Sequence, residues 1–153
     1  MAHMIKLGLD LHGVIDTDPQ FFVDLSDRLM VKGHEIHIIT GREDSESLHD
    51  ELKECGMETV HGRVYHSILS ITTYQKGQGT PISYLDSDET LPMMDPAIWN
   101  PTKAMLCAAA GIDIMIDDSA LYKPFFRDIK TQYIIYTPAI RDFLQVIFKY
   151  ERY

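Results

Sequence analysis

The chain has 153 residues, enough for one domain whose folding removes roughly two thirds of the unfolded chain's surface from water. Its composition is that of an ordinary globular protein, and a formal net charge of −9 excludes an electrostatic footprint for nucleic acid or an anionic membrane surface. No apolar stretch approaches the ~20 residues of a membrane span and no signal peptide is visible, so a cytoplasmic protein is expected; "MAHM" reads as partly a cloning remnant, and His3 is left out of the chemistry.

In chain order, Ile5–Leu11 reads as a buried strand into which Asp10 intrudes, followed by His12 and Gly13. Asp18 is placed to cap a helix with Pro19 in its first turn, and Phe22, Leu25 and Leu29 form its apolar stripe up to Gly33. Glu35–Thr40, "EIHIIT", is a second strand. Ser45–Cys55 is a polar helix stopped by Gly56, and Val60–Tyr65 a further short strand. Residues 73–96 carry three prolines and two glycines and contain "PISYLDSDETLPMM", which predicts a small β-hairpin insertion, or flap, with a polar tip at Asp86–Glu89. Asn100 is expected to cap a helix that has Pro101 in its first turn, runs to Ala110 and stops at Gly111. "IDIMIDDS" is a strand ending in Asp117 and Asp118, Ser119–Phe126 is expected to be helical, and "QYIIYT" is another strand. Pro138 opens an amphipathic helix with Ile140, Phe143, Leu144, Ile147 and Phe148 on one face. Cys55 and Cys107 fall in predicted helices at no metal or redox spacing and read as buried free thiols.

Strands alternating with helices predict a single α/β domain over residues 1–153, a parallel sheet with helices on both faces, and ligands beyond the carboxyl ends of the strands. The polar residues collect there. Asp10 and His12 follow the first strand, Thr40, Gly41 and Arg42 the second, and Asp117 and Asp118 a later one, while Lys103 is placed in the first turn of a helix. Asp10 and Asp117 together make an oxygen-rich site suited to Mg²⁺, which commonly completes its shell from a substrate phosphate. Asp10 is then placed for in-line attack on phosphorus. Lys103 would hold Asp10 and the phosphoryl oxygens, Thr40 would donate to a phosphoryl oxygen, and backbone N–H groups around Leu11–Gly13 would cradle the rest.

The order Asp10-Leu-His12-Gly13, "IIT" ending in Thr40, Lys103, and "IDD" ending in Asp117-Asp118 resembles the haloacid dehalogenase (HAD) superfamily from Ile5 to about Tyr136. The resemblance implies a three-layer Rossmann-like core, bound Mg²⁺ and, for most members, phosphatase action through an aspartyl intermediate. It implies Asp10 as nucleophile and metal ligand. The His12 carbonyl and Asp117 would face the metal as well, and Asp118 would hold a water on the metal or Lys103. The small near-capless, deoxyribonucleotidase-like members come closest in layout. Phosphatases of the superfamily usually carry D-x-D-G, with the second aspartate as general acid/base; here that position is His12. A histidine can do this work, since its ordinary pKa near 6.5 suits proton transfer about neutrality.

The expected activity is an Mg²⁺-dependent phosphohydrolase acting on a small phosphorylated metabolite or nucleotide, or on a phosphorylated end of a larger substrate. The competing reading is a HAD-like scaffold with slow or lost turnover that binds a phosphate ligand. Arg42 is placed either to reach the substrate or in a surface ion pair, and purely structural readings stand beside the others: Asp10 closing a turn, Asp118 and Ser119 capping the next helix, Thr40-Gly41-Arg42 as a plain turn and Lys103 solvated. Trp99, Tyr84, Met93 and Met94 either line the pocket or pack the hairpin on the core, and His34, His37, His49, His61 and His66 show no metal-ligand spacing. A dinucleotide oxidoreductase is excluded by the lack of G-x-G-x-x-G, and a kinase or GTPase by the lack of G-x-x-x-x-G-K-[ST].

Overall fold

In the computed structural model, which describes residues 3–149, β1 (Lys6–Leu9) ends one residue before Asp10 instead of running to Leu11. The Asp10 carboxylate accepts from Leu11 N (2.9 Å), and the Asp10 and Leu11 carbonyls accept from Ile15 N and Asp16 N. The chain therefore leaves the sheet in a turn, followed by a single 3-10 turn at Ile15–Thr17. Helix α1 (Pro19–Val31) has Pro19 at its start, but Asp18 makes no side-chain cap; its carboxylate pairs with Arg141 at 2.6 Å instead. β2 (Glu35–Thr40) matches the expected strand residue for residue. α2 (Glu46–Glu54) is capped by the Ser45 hydroxyl, and Cys55 is its half-buried C-cap rather than a fully buried thiol.

The predicted Val60–Tyr65 strand is replaced by a two-residue hairpin, β3 (Glu58–Thr59) with β4 (Gly62–Arg63), whose turn leaves Val60 97% exposed. The strand that joins the main sheet is β5 (Ser67–Ser70), and it leads straight into α3 (Ile71–Gly77), capped by the Ser70 hydroxyl. The first residues of the expected 73–96 insertion are thus helical; its hairpin is β6 (Ser83–Tyr84) with β7 (Pro92–Met93). α4 (Pro96–Ala110) begins a turn earlier than expected because Asp95 caps it, accepting from Ala97 N; Asn100 and Pro101 lie inside the helix, and Gly111 ends it with φ +69°. After β8 (Ile114–Asp117) the Ser119–Phe126 segment forms only a 3-10 turn at Lys123–Phe126, with Pro124 in it. β9 (Gln132–Ile135) and α5 (Pro138–Lys149) complete the chain. Leu144 of α5 is buried, whereas Phe143 is 56% exposed and not part of the packed face; the side chains of Ile147 and Phe148 lie outside the described residues.

The five main strands are parallel in the order β5-β2-β1-β8-β9. One face carries α1, α2 and α5 through Phe22, Leu25, Leu29, Leu48, Leu52 and Leu144; the other carries α4 and the second 3-10 turn through Ala104, Cys107 and Phe126. α3 joins α4 on that second face by a buried Gln75–Thr102 hydrogen bond of 3.0 Å. The alternation in β2, with Ile36 and Ile38 in one core and Ile39 in the other, follows from the two-residue period of a strand covered on both sides. The result is the Rossmann-like α/β arrangement. Its topological switch point lies between β1 and β8, because the chain winds outward from β1 through β2 to β5 and then crosses back to β8. No helix among the described residues is long and apolar enough to cross a membrane.

Candidate functional site

Asp10 follows β1 and Asp117 ends β8, side by side at the switch point, and Asp10 N still donates to the Ile116 carbonyl at 3.0 Å. One oxygen from each of Asp10, Asp117 and Asp118 lies within 4.8 Å of the others, the only such grouping of His, Cys, Asp or Glu among the described residues. Asp10 and Asp117 are buried and Asp118 is exposed. Lys103 is buried against the pair, its Nζ 2.5 Å from Asp117 and 3.5 Å from Asp10, with the Tyr122 ring 4.8 Å away. It sits in the middle of α4, not in a first turn, and so lies away from the positive end of the helix dipole. Lys103 therefore pairs with Asp117 and Asp10 rather than with Asp118.

The electrostatics follow from two buried carboxylates sharing one ammonium, with a third carboxylate, Asp118, beside them. Burial, opposed by Lys103 but reinforced by Asp117 and Asp118, pushes the Asp10 carboxyl up to about 7. Burial and Asp117 also raise Asp118. Burial alone would lower the Lys103 ammonium, yet Asp10 and Asp117 outweigh it and hold the ammonium above its ordinary value. This cluster has negative charge to spare, and its hard oxygen donors suit a small divalent cation.

The loops fit around it. Gly13 has φ +83°, and a Cβ there would overlap the Asp118 carboxylate, so only glycine lets the loop pass so close. Its N–H donates to Asp16 at 2.8 Å. Thr40 is buried at the end of β2 with its hydroxyl oxygen accepting from Arg42 N at 3.1 Å, which leaves its O–H free to donate. The Gly41 carbonyl is held by the Thr72 hydroxyl of α3 at 2.6 Å, and a Cβ on Gly41 would strike the Trp99 ring. Arg42 resolves toward the ion pair: it pairs with Glu51 and donates to Ser47 at 2.9 Å. The same Glu51 oxygen lies 2.9 Å from His12 Nε2. A carboxylate acceptor there makes Nε2 the protonated nitrogen of that contact and leaves Nδ1 for other work.

These groups line one cavity of about 600 Å³ that contains Asp10, His12, Gly13, Thr40, Gly41, Arg42, Lys103, Asp117 and Asp118, so every candidate site residue converges. Sequence reading missed Glu51, Ser119, Tyr122 and the hairpin residues Leu85, Thr90, Leu91 and Pro92, which share the lining. Trp99 does line it, with its indole N–H donating to Tyr122 at 2.8 Å, whereas Tyr84, Met93 and Met94 do not. Asp118 caps no helix; Ser119 N donates to Asp117 instead, at 3.0 Å. Four of the other histidines are bound elsewhere: His34 accepts from Ile5 N, His66 from Ile36 N, His37 contacts Ser67 and Glu35, and His49 bridges Glu58 and Asp44.

No family model and no curated protein matches this sequence. Among solved structures, the chain resembles an uncharacterized protein from Corynebacterium glutamicum ATCC 13032 Kitasato with a TM-score of 0.60 at 15% identity, over 99% of both chains. A structure described as that of MT0777 matches at a TM-score of 0.49 and 10% identity, over 97% of this chain and 99% of that one. The first likeness shows that the α/β fold seen here is shared, over its whole length, with another protein chain.

Proposed function

We propose that the protein is a small HAD-like, Mg²⁺-dependent phosphohydrolase of phosphate monoesters. The observation that carries this reading is the convergence of Asp10, Asp117 and Asp118, with Lys103 buried among them, at the switch point of a parallel sheet. The donor set fits Mg²⁺, which Asp10, Asp117 and Asp118 would hold, with the His12 carbonyl as a further oxygen donor, and which would offset charge on the phosphoryl oxygens. The chain's own residues supply the rest. Lys103 and the Thr40 hydroxyl hold phosphoryl oxygens, while Gly13 lets the first loop lie against Asp118 and Gly41 lets the second lie against Trp99. A carboxylate oxygen of Asp10 forms a bond to phosphorus as the ester P–O bond breaks, and His12 gives the departing alcohol its proton. Water then attacks the aspartyl-phosphate, returns a proton to His12 and frees inorganic phosphate and the Asp10 carboxylate. Glu51 fixes Nε2 of His12, so Nδ1 is the nitrogen assigned to the proton.

The test pairs two measurements. With Mg²⁺, BeF₃⁻ should bind to the wild-type protein but not to Asp10→Asn, and phosphate should be released in steady state from monoesters by the wild type alone. Binding of BeF₃⁻ without phosphate release would favour the second reading, a phosphate-binding scaffold in which His12 does not support turnover. Neither binding nor release would remove both readings.

A further inference from the structure

We propose that the cavity's outer wall is the subsite for the alcohol part of the ester, and that it takes a compact apolar alcohol rather than a polyol. The proposal rests on the phosphohydrolase reading and names its substrate class. Besides the acidic cluster, the cavity is lined by Leu85, Leu91 and Pro92 of the hairpin and by Trp99, with Tyr122 between Trp99 and Lys103. Leu85 and Leu91 are 71% and 53% exposed and both line the cavity, so a ligand that covers them removes apolar surface from water.

The hairpin is built to display them. Leu85 N donates to the Leu91 carbonyl at 2.9 Å. The Asp86 carboxylate gathers Thr90 N, the Thr90 hydroxyl and Leu91 N at 2.5–2.9 Å, and burial, the weaker influence, does not prevent these donors from holding it below its ordinary value. Asp86 and Thr90 are thus turned on one another, and Trp99 spends its indole N–H on Tyr122. On the other flank Arg42 and His12 are both engaged by Glu51. A polyol would lose its water against Leu85, Leu91 and Pro92, whose side chains offer its hydroxyls no partner, which costs binding. An apolar group loses nothing and covers both leucines. The cavity volume of about 600 Å³ suits a small ester.

The probes are two non-hydrolysable phosphonates with Mg²⁺: 2-cyclohexylethylphosphonate and 3,4-dihydroxybutylphosphonate. Calorimetry gives their affinities for the wild-type protein, and fluorescence of Trp99, the one tryptophan of the chain, reports occupancy of the wall. The cyclohexyl compound should bind about 10–100-fold more tightly and change Trp99 emission. In Leu85→Ser/Leu91→Ser that advantage should shrink to about threefold or less. Equal affinities, tighter binding of the diol, or an advantage that survives the double substitution would overturn the proposal. Phosphate release from the two corresponding esters is measured separately. A protein that keeps the binding preference but releases no phosphate contradicts the hydrolase reading and leaves the wall's preference standing.

Discussion

Lys103 keeps a charge in the interior because Asp10 and Asp117 face it, and the three residues are interdependent for that reason. Lys103→Met should destabilise the metal-free protein by about 3–5 kcal/mol, since it strands buried carboxylates, and Mg²⁺ should restore part of the loss; urea unfolding with and without Mg²⁺ measures both. A variant as stable as the wild type without metal would show that the carboxylates do not need the ammonium. Gly13→Ala must push Asp118 aside, so it should weaken Mg²⁺ binding in calorimetry while leaving the sheet intact by circular dichroism. His12→Ala should lower phosphate release by about 10²–10⁴-fold if its imidazole moves the proton; an unchanged rate would remove it from the mechanism. At this scale much of the site was legible. Asp10, Thr40, Asp117 and Asp118 each close an apolar run, where a polar side chain has no packing reason to be. Glu51 was not legible, because a glutamate in "ESLHDELKE" looks like any solvated helix charge until α2 carries it to His12 and Arg42.

Helix α2 is tied to the β3–β4 hairpin by His49, which lies 2.5 Å from Glu58 and 2.8 Å from Asp44. Burial alone would lower the His49 pKa, but the bonds to Glu58 and Asp44 outweigh it and raise it. A raised folded pKa means stability that is fully present below the unfolded value near 6.5 and is lost as pH rises through the folded one. The stability gap between wild type and His49→Gln should therefore be larger at about pH 6 than at about pH 9. A gap that does not change with pH would show that the charged form contributes nothing. Asp95→Ala should cost about 1 kcal/mol by uncapping α4, whereas Asn100→Ala should cost little. That contrast reflects what the elements' sequences could convey. Strands with long apolar runs and helices with a clear stripe stand where expected. α4 offers two starts, Asp95-Pro96 and Asn100-Pro101, and the helix takes the earlier one, where the Asp95 carboxylate accepts from Ala97 N. β5 and α3 were missed because "SILS" is too short to signal a strand and Ile71, Thr72 and Thr73 are weak helix formers.

For the whole molecule, the parallel order β5-β2-β1-β8-β9 puts the carboxyl ends of β1 and β8 at one crevice, and the acidic cluster lies there in a chain of net charge −9. Lys103 offsets only part of this concentrated negative charge, and what remains opposes folding until a second cation joins it. Mg²⁺ at about 100 times its dissociation constant should stabilise the fold by about 2.7 kcal/mol, a rise of about 5–10 °C in Tm, and Asp117→Asn should abolish the rise. The central claim is that Asp10 itself accepts the phosphoryl group. Its most direct test is acid quenching of the protein during turnover of a phosphate monoester with Mg²⁺, followed by mass spectrometry of the peptide that contains Asp10. A phosphoryl adduct on Asp10, absent without Mg²⁺ and absent in Asp10→Asn, is the predicted result; phosphate release that persists in Asp10→Asn would contradict it.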